Sequence, residues 1–181
     1  ASGRGASTVT LLLVGIGLSS LAGALTSLAL NLAPNPYSLS DLINWMLGSV
    51  ANRSWVDVGI ALPAWALGAA AVIMAGPSLR ALSLGEETAA TLGANPARAR
   101  LLIIVGTSLL AGASVAVAGT IGFVGMVAPH IVRPLVKHDP QRVLLPSALA
   151  AGAMLLGADV LIRVLPFAQE LKLGVAAALF G

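Results

Sequence analysis

The chain has no cysteine and very little charge. Asp, Glu, Lys and Arg make up 9% of its 181 residues, against roughly 25% in ordinary soluble domains. Without cysteine there are no disulfides and no thiolate metal sites, and the redox compartment stays open. With so few charges the chain could not cover its own surface as a globule in water. No GxxxxGK[ST] phosphate loop is present, so any ATP-driven work needs a second chain to hydrolyse the nucleotide. The only histidines are His130 and His138. With Asp139 as their sole nearby carboxylate they do not make a metal site, and neither a metal nor a cofactor is expected. His130 reads instead as a structural hydrogen-bonding residue. No carboxylate stands in a span near it, which argues against an intramembrane protease. No cleavable signal peptide is evident. The sequence opens on Ala1 and stops inside an apolar run at Gly181, which reads as a fragment.

What is present is apolar: 57% hydrophobic residues and a mean hydropathy of +0.95. Residues 5–40, 58–79 and 101–132 contain no Asp, Glu, Lys or Arg, and each run exceeds the roughly 18 residues that mark a membrane span. The expected class is an all-α, polytopic transmembrane bundle. The net charge of +3 sits at span ends rather than in a patch, so no nucleic-acid partner is expected.

Residues 8–33 form the first expected span. Gly15, Ser19, Gly23 and Ser27 repeat every four residues, a stripe that either lets another helix approach closely or lines a substrate path. Pro34 and Pro36 stop the helix. Tyr37, Trp45 and Trp55 suit headgroup level, with Ser40-Asp41 capping a short surface helix through Met46. Residues 57–79 are the second span and 101–119 the third. The uncharged run 101–132 is too long for one helix across a core of roughly 30 Å. It should turn near Gly119–Gly122 and return as a fourth span ending around Lys137. Gly119, Gly122, Gly125 and Pro129 supply hinge or kink positions, and backbone broken at that depth must be buried or face a cavity. Residues 143–167 are the fifth span, with Asp159 and Arg163 as an i,i+4 pair. Residues 168–174 connect to a sixth span that is cut off after Val175–Gly181.

Between the second and third spans lies the chain's most polar stretch, 80–100. Ser83 and Glu86 have capping-box spacing, and Glu86 and Glu87 favour the positive end of a helix dipole. Gly93 can close that helix in a left-handed conformation, while Asn95 and Pro96 start the next. With this stretch in the cytoplasm, Arg4, Arg80, Arg98, Arg100, Arg133, Lys137 and Arg142 fall inside. Only Arg53, Arg163 and Lys172 fall outside, a clear positive-inside bias. Arg53 and Arg163 are each either solvated end charges or docking charges.

Leu84-Gly-Glu-Glu-Thr-Ala-Ala-Thr-Leu-Gly93 followed by Gly119-Thr-Ile-Gly-Phe-Val-Gly-Met-Val-Ala-Pro-His-Ile-Val-Arg133 strongly resembles the FecCD-type permease family. These are membrane subunits of type II ABC importers for ferric siderophores, haem and cobalamin. Trp45-Met-Leu-Gly-Ser49, Leu144-Leu-Pro-Ser-Ala148, Ala158-Asp-Val-Leu-Ile-Arg163 and Glu170-Leu-Lys-Leu-Gly174 agree with it. The resemblance implies a bilayer-embedded dimer of permeases of about ten helices each, homomeric or paired with a second permease. Two ATPase subunits would sit below it and an extracytoplasmic substrate-binding protein outside. It implies one permease domain over 1–181 with an ATPase-coupling module at 80–100. Within that module it makes Leu84, Gly85, Glu86, Glu87, Thr88, Leu92 and Gly93 the coupling helix. It makes Arg163 a docking charge for the binding protein; Arg53 is a further docking candidate from its loop position alone, and Lys172 adds a second positive charge. Lys172 stands where the family usually has proline. The first helix resembles the family's fifth, which borders the translocation path and carries Gly15, Ser19, Gly23 and Ser27. The family's N-terminal helices and the end of its last helix are absent. Residues 45–55 look more like siderophore permeases than cobalamin ones, so a ferric siderophore is the expected substrate. Haem and cobalamin are the alternatives. An ion-coupled metal transporter would want carboxylates or histidines at mid-membrane, and a structural scaffold would leave the module at 80–100 unexplained.

Overall fold

Prolines and glycines punctuate the apolar sequence, and helices fill the intervals. The computed structural model describes residues 8–91, 93, 95–137, 139–164 and 173–174. Among these residues it is all-helical: α1 (Thr8–Asn31), α2 (Pro36–Met46), α3 (Trp55–Leu82), α4 (Glu86–Thr91), α5 (Pro96–Ala118), α6 (Val124–Val132) and α7 (Leu144–Val164). Four of them, α1, α3, α5 and α7, are long and apolar enough to cross a membrane. Contacts divide the chain after Ile43 into two units.

In the first unit, the membrane-spanning stretch of α1 has no buried residue. Two of its hydroxyls bond back to the preceding turn: Ser20 donates to the Ile16 carbonyl at 3.0 Å and Thr26 to the Ala22 carbonyl at 2.9 Å. Pro36 occupies the first position of α2, and the Asn35 carboxamide accepts the Ser38 amide at 2.9 Å. Asn35 is therefore the cap, not Ser40-Asp41. The earlier start follows from proline's preset φ, which favours the first helical turn.

The second unit is built on the antiparallel pair α3 and α5. Two glycines let the backbones touch: a Cβ on Gly68 would come within 2.8 Å of the Gly106 carbonyl oxygen, and one on Gly106 within 2.8 Å of Val72. Further along the seam, the Trp65 indole donates to the Ser114 hydroxyl at 3.1 Å. Trp65→Phe should therefore lower stability by about 1 kcal/mol, read from thermal unfolding in detergent. An unchanged midpoint would mean that the indole N–H contributes nothing to this seam.

The start of α3 is fixed by a capping box that the sequence reading overlooked. Ser54 accepts the Asp57 amide at 3.4 Å, and Asp57 accepts the Ser54 amide at 2.7 Å. Ser83, expected to start a helix, instead closes this one. α3 runs on to Leu82, Ser83 is its C-cap, and the Ser83 hydroxyl donates to the Arg80 carbonyl at 2.7 Å.

The chain turns at Gly119 as expected, but the return leg is not a full span. α6 has nine residues, about 14 Å of helix, so it cannot cross the hydrocarbon core alone. The non-helical stretch 119–123 precedes it and the turns of 133–137 follow it. α6 opens on Phe123 at φ 63°, ψ −41°, in a tight turn where the Val124 amide bonds the Gly122 carbonyl at 2.7 Å. It packs on α7, burying Val124, Ala128 and Val132 along one stripe. The connector at 168–172 and the sixth span at 175–181 lie outside the described residues.

Candidate functional site

The two ends of the α3–α5 pair are chemically different. At the polar end, α4 is held by one face: Ala89 is fully buried, and so is Ala99 on the first turns of α5. Leu84, Thr88, Ala90 and Gly93 stay exposed. Gly93 has φ +78°, the left-handed value its position calls for. Asn95 then accepts the Arg98 amide at 3.0 Å, with Pro96 opening α5. A cavity of about 290 Å³ lies beside this module, lined by Met74, Ser78, Gly93, Asn95, Arg98, Ala99 and Leu102.

The turn after α6 folds back against the same end. A Cβ on Gly76 would stand 3.0 Å from the Gln141 side chain, and four residues on, Arg80 donates to Asp139 Oδ2 at 2.6 Å. Asp139 Oδ1 accepts the amides of Gln141 (3.0 Å) and Arg142 (3.3 Å). The Arg142 guanidinium stands 3.6 Å from Oδ2. Desolvation, the largest single influence, pushes the Asp139 carboxyl up. The two amides and Arg80 together outweigh it, and the carboxyl sits below the ordinary 3.8. A depressed carboxyl contributes stability above its unfolded value and loses it only as pH falls through the folded one. The pair is therefore intact at any pH near neutral.

At the opposite end, three segments distant in sequence meet backbone to backbone. The Ser49 amide donates to the Ala118 carbonyl at 2.7 Å, the Gly174 amide to Gly48 at 3.3 Å, and the Thr120 hydroxyl to the Met46 carbonyl. The Trp45 indole donates to Ala116 at 3.2 Å, so this aromatic is an anchor as well as an end residue. Gly48, Gly119 and Gly174 are all required here: a Cβ on any of them would run into a backbone carbonyl. Leu173, beside them, is 3% exposed.

The structure groups the expected coupling positions 84–88 and 93 at the polar end. Leu92 lies outside the described residues, as do Lys172 and His138. Arg53, in the exposed loop before α3, and Arg163, in the last turn of α7, are at the other end. Arg163 pairs with Asp159 at 2.7 and 3.4 Å, as its spacing predicts. Gly15 and Gly23 have open space where a Cβ would stand. Of the hinge set, Gly119 is locked in the junction, while Gly122 and Gly125 have nothing within 4 Å. His130 is exposed on α6. Sequence reasoning missed Arg80–Asp139, Gly48 and Gly174. Only Asp139 carried a local sign, an aspartate just before proline, where Asx turns form.

The whole chain, residues 1–181, matches the FecCD transport family. It is 39% identical to the cobalamin import system permease protein BtuC of Halobacterium salinarum, covering 96% of this chain and 46% of that one. Against the Fe(3+) dicitrate transport system permease protein FecC of Escherichia coli the identity is 37%, covering 94% and 51%. A solved structure, an inward-facing conformation of a metal-chelate type ABC transporter, superposes with a TM-score of 0.83 at 30% identity, covering 97% of this chain and 58% of that one. The chain spans about half the length of the curated relatives it matches. The apolar spans, the polar module between α3 and α5 and the match over every residue lead to one placement: this multi-pass membrane protein belongs to the FecCD transport family.

Proposed function

We propose that the chain is permease sequence of a type II ABC importer that moves a metal chelate across the inner membrane by alternating access. The observation that carries this reading is the family match along all 181 residues, joined to a polar, one-face-anchored helix between two spans. The permease does no bond chemistry. A separate ATPase subunit hydrolyses ATP, and residues 80–100, on the cytoplasmic side, form the module that engages it. Within that module Leu84, Gly85, Glu86, Glu87, Thr88, Leu92 and Gly93 make the contact. A second permease copy or paralogue completes the dimer, with residues 1–181 belonging to one permease domain in each subunit. An extracytoplasmic binding protein docks at the other end, where Arg163, Arg53 and Lys172 offer positive charge. Gly15, Ser19, Gly23 and Ser27 line the path, and the stretch from Gly122 through Gly125 to Pro129, pivoting on the fixed Gly119, supplies the backbone that changes packing between states.

The relatives' named cargoes, cobalamin and iron dicitrate, are both metals held in an organic shell. A ferric siderophore is the cargo favoured here, because residues 45–55 look more like siderophore permeases than cobalamin ones. Haem and cobalamin are the second choice. The test is co-purification of the ATPase with the permease, wild type against Glu86→Arg/Glu87→Arg. Reversing two charges at the docking surface should lower ATPase recovery about tenfold or more, with the permease still folded. Unchanged recovery would sink the coupling assignment. Uptake of ferric siderophore, haemin and cyanocobalamin into proteoliposomes then ranks the cargoes.

A further inference from the structure

We propose that the Arg80–Asp139 ion pair is the positioning contact that passes movement of the coupling module to the return segment 119–139. This rests on the importer reading above. Arg80 lies in the last turn of α3, and α4 follows after the short turn through Gly85. Arg80 is therefore the last charged side chain before α4 along the chain. Asp139 uses its two oxygens differently. Oδ1 holds the amides of Gln141 and Arg142, so the carboxylate is rigid with respect to its own turn. Oδ2 reaches across to Arg80 at 2.6 Å.

The two ends of the return segment are fastened by different chemistry. At its start it is tied to 46–49 by the Ala118 carbonyl and the Thr120 hydroxyl, with Gly119 packed between them where neither partner can step back. At Asp139 it is held to α3 by charge, through an arginine whose side chain is 52% exposed. Arg142, 3.6 Å from the same oxygen, is a substitute partner within the turn. A segment with one fixed end and one exchangeable end swings about the fixed one, and Arg80 decides how closely the other follows α3. α6 and α7 are packed together, so the swing reaches both.

The experiment uses the assembled importer with spin labels at Ala90→Cys, on the exposed side of α4, and Leu135→Cys, which is 79% exposed. This stretch contains no native cysteine to interfere. Distances are measured without nucleotide and after vanadate trapping. With Arg80 and Asp139 in place, the distribution should stay equally narrow in both states. Asp139→Asn keeps the oxygen that holds the turn but removes the charge, and with Arg80→Gln it should broaden the trapped-state distribution about twofold. The double variant should broaden it no further, because the two groups act as one unit. Arg80→Lys should restore most of the narrow distribution. Wild-type widths in both single variants, or additive broadening in the double, overturns the link. If ATPase still co-purifies in those cases, the importer reading stands and only the link fails. If the wild type recruits no ATPase, both fall.

Discussion

Gly119→Ala is expected to lower stability by about 3–5 kcal/mol, and Gly119→Val by nearly the same amount. The near-equality is the informative part, because the damage is done by the first carbon. Gly119 has φ 73° and ψ −168°, a region essentially reserved for glycine. A Cβ there would collide with the Trp45 carbonyl oxygen and lie 3.0 Å from Gly48 Cα. Those atoms cannot retreat, since Ser49 is bonded to Ala118 and Gly48 to both Trp45 and Gly174. Gly122→Ala and Gly125→Ala make the contrast. Neither has an atom within 4 Å of its would-be Cβ nor a positive φ, so each should change stability by less than about 0.5 kcal/mol. Thermal unfolding of the purified permease in detergent measures all four. A loss below about 1 kcal/mol for Gly119→Ala would show that the junction can relax, against the bonding described.

The second large effect concerns the α3–α5 seam. Gly68→Leu and Gly106→Leu should each cost about 3 kcal/mol, and the pair together much less than the sum. Each glycine faces the other's carbonyl oxygen at under 3 Å from a built Cβ, so one leucine already forces the helices apart. The second then enters space that has opened, and the two costs overlap. Separation should also pull Trp65 off Ser114, now 3.1 Å apart, and shift tryptophan emission. Strict additivity would mean that the glycines do not share one crossing point.

How much of this was legible in the sequence depended on distance along the chain. The cores of α1, α3, α5 and α7 follow from uncharged runs bounded by proline, glycine and charge. The start of α5 was readable because Asn95, Pro96 and the Arg98 amide lie within one turn. The Asp159–Arg163 pair was readable because i,i+4 residues must be neighbours on a helix. Ser83 misled because the same local pattern serves an N-terminus or the end of the preceding helix, and only the length of α3 decides. Ser54–Asp57 was passed over because aspartate replaces the usual glutamate of the box. The return leg misled for a different reason: an apolar run reports burial in the membrane, not helicity. At Phe123 a non-glycine residue takes a positive φ, which no propensity would predict. Arg80–Asp139 and the glycine junction pair residues dozens of positions apart, and nothing local announces either.

The junction also sets an order of assembly. Gly48 emerges from the ribosome long before Gly174, with α3, α5 and α7 still to be made between them. Its carbonyl accepts the Gly174 amide only after all three have entered the bilayer. Until then residues 45–49 lack the partner that finally covers them, and the nascent chain must keep that backbone in contact with water or the translocon. Closing the junction is thus a late step of biogenesis, and a chain that cannot close it stays exposed to membrane quality-control proteases. Substitutions at Gly48, Gly119 or Gly174 should therefore appear first as lost protein in the membrane, ahead of any defect in a mature transporter.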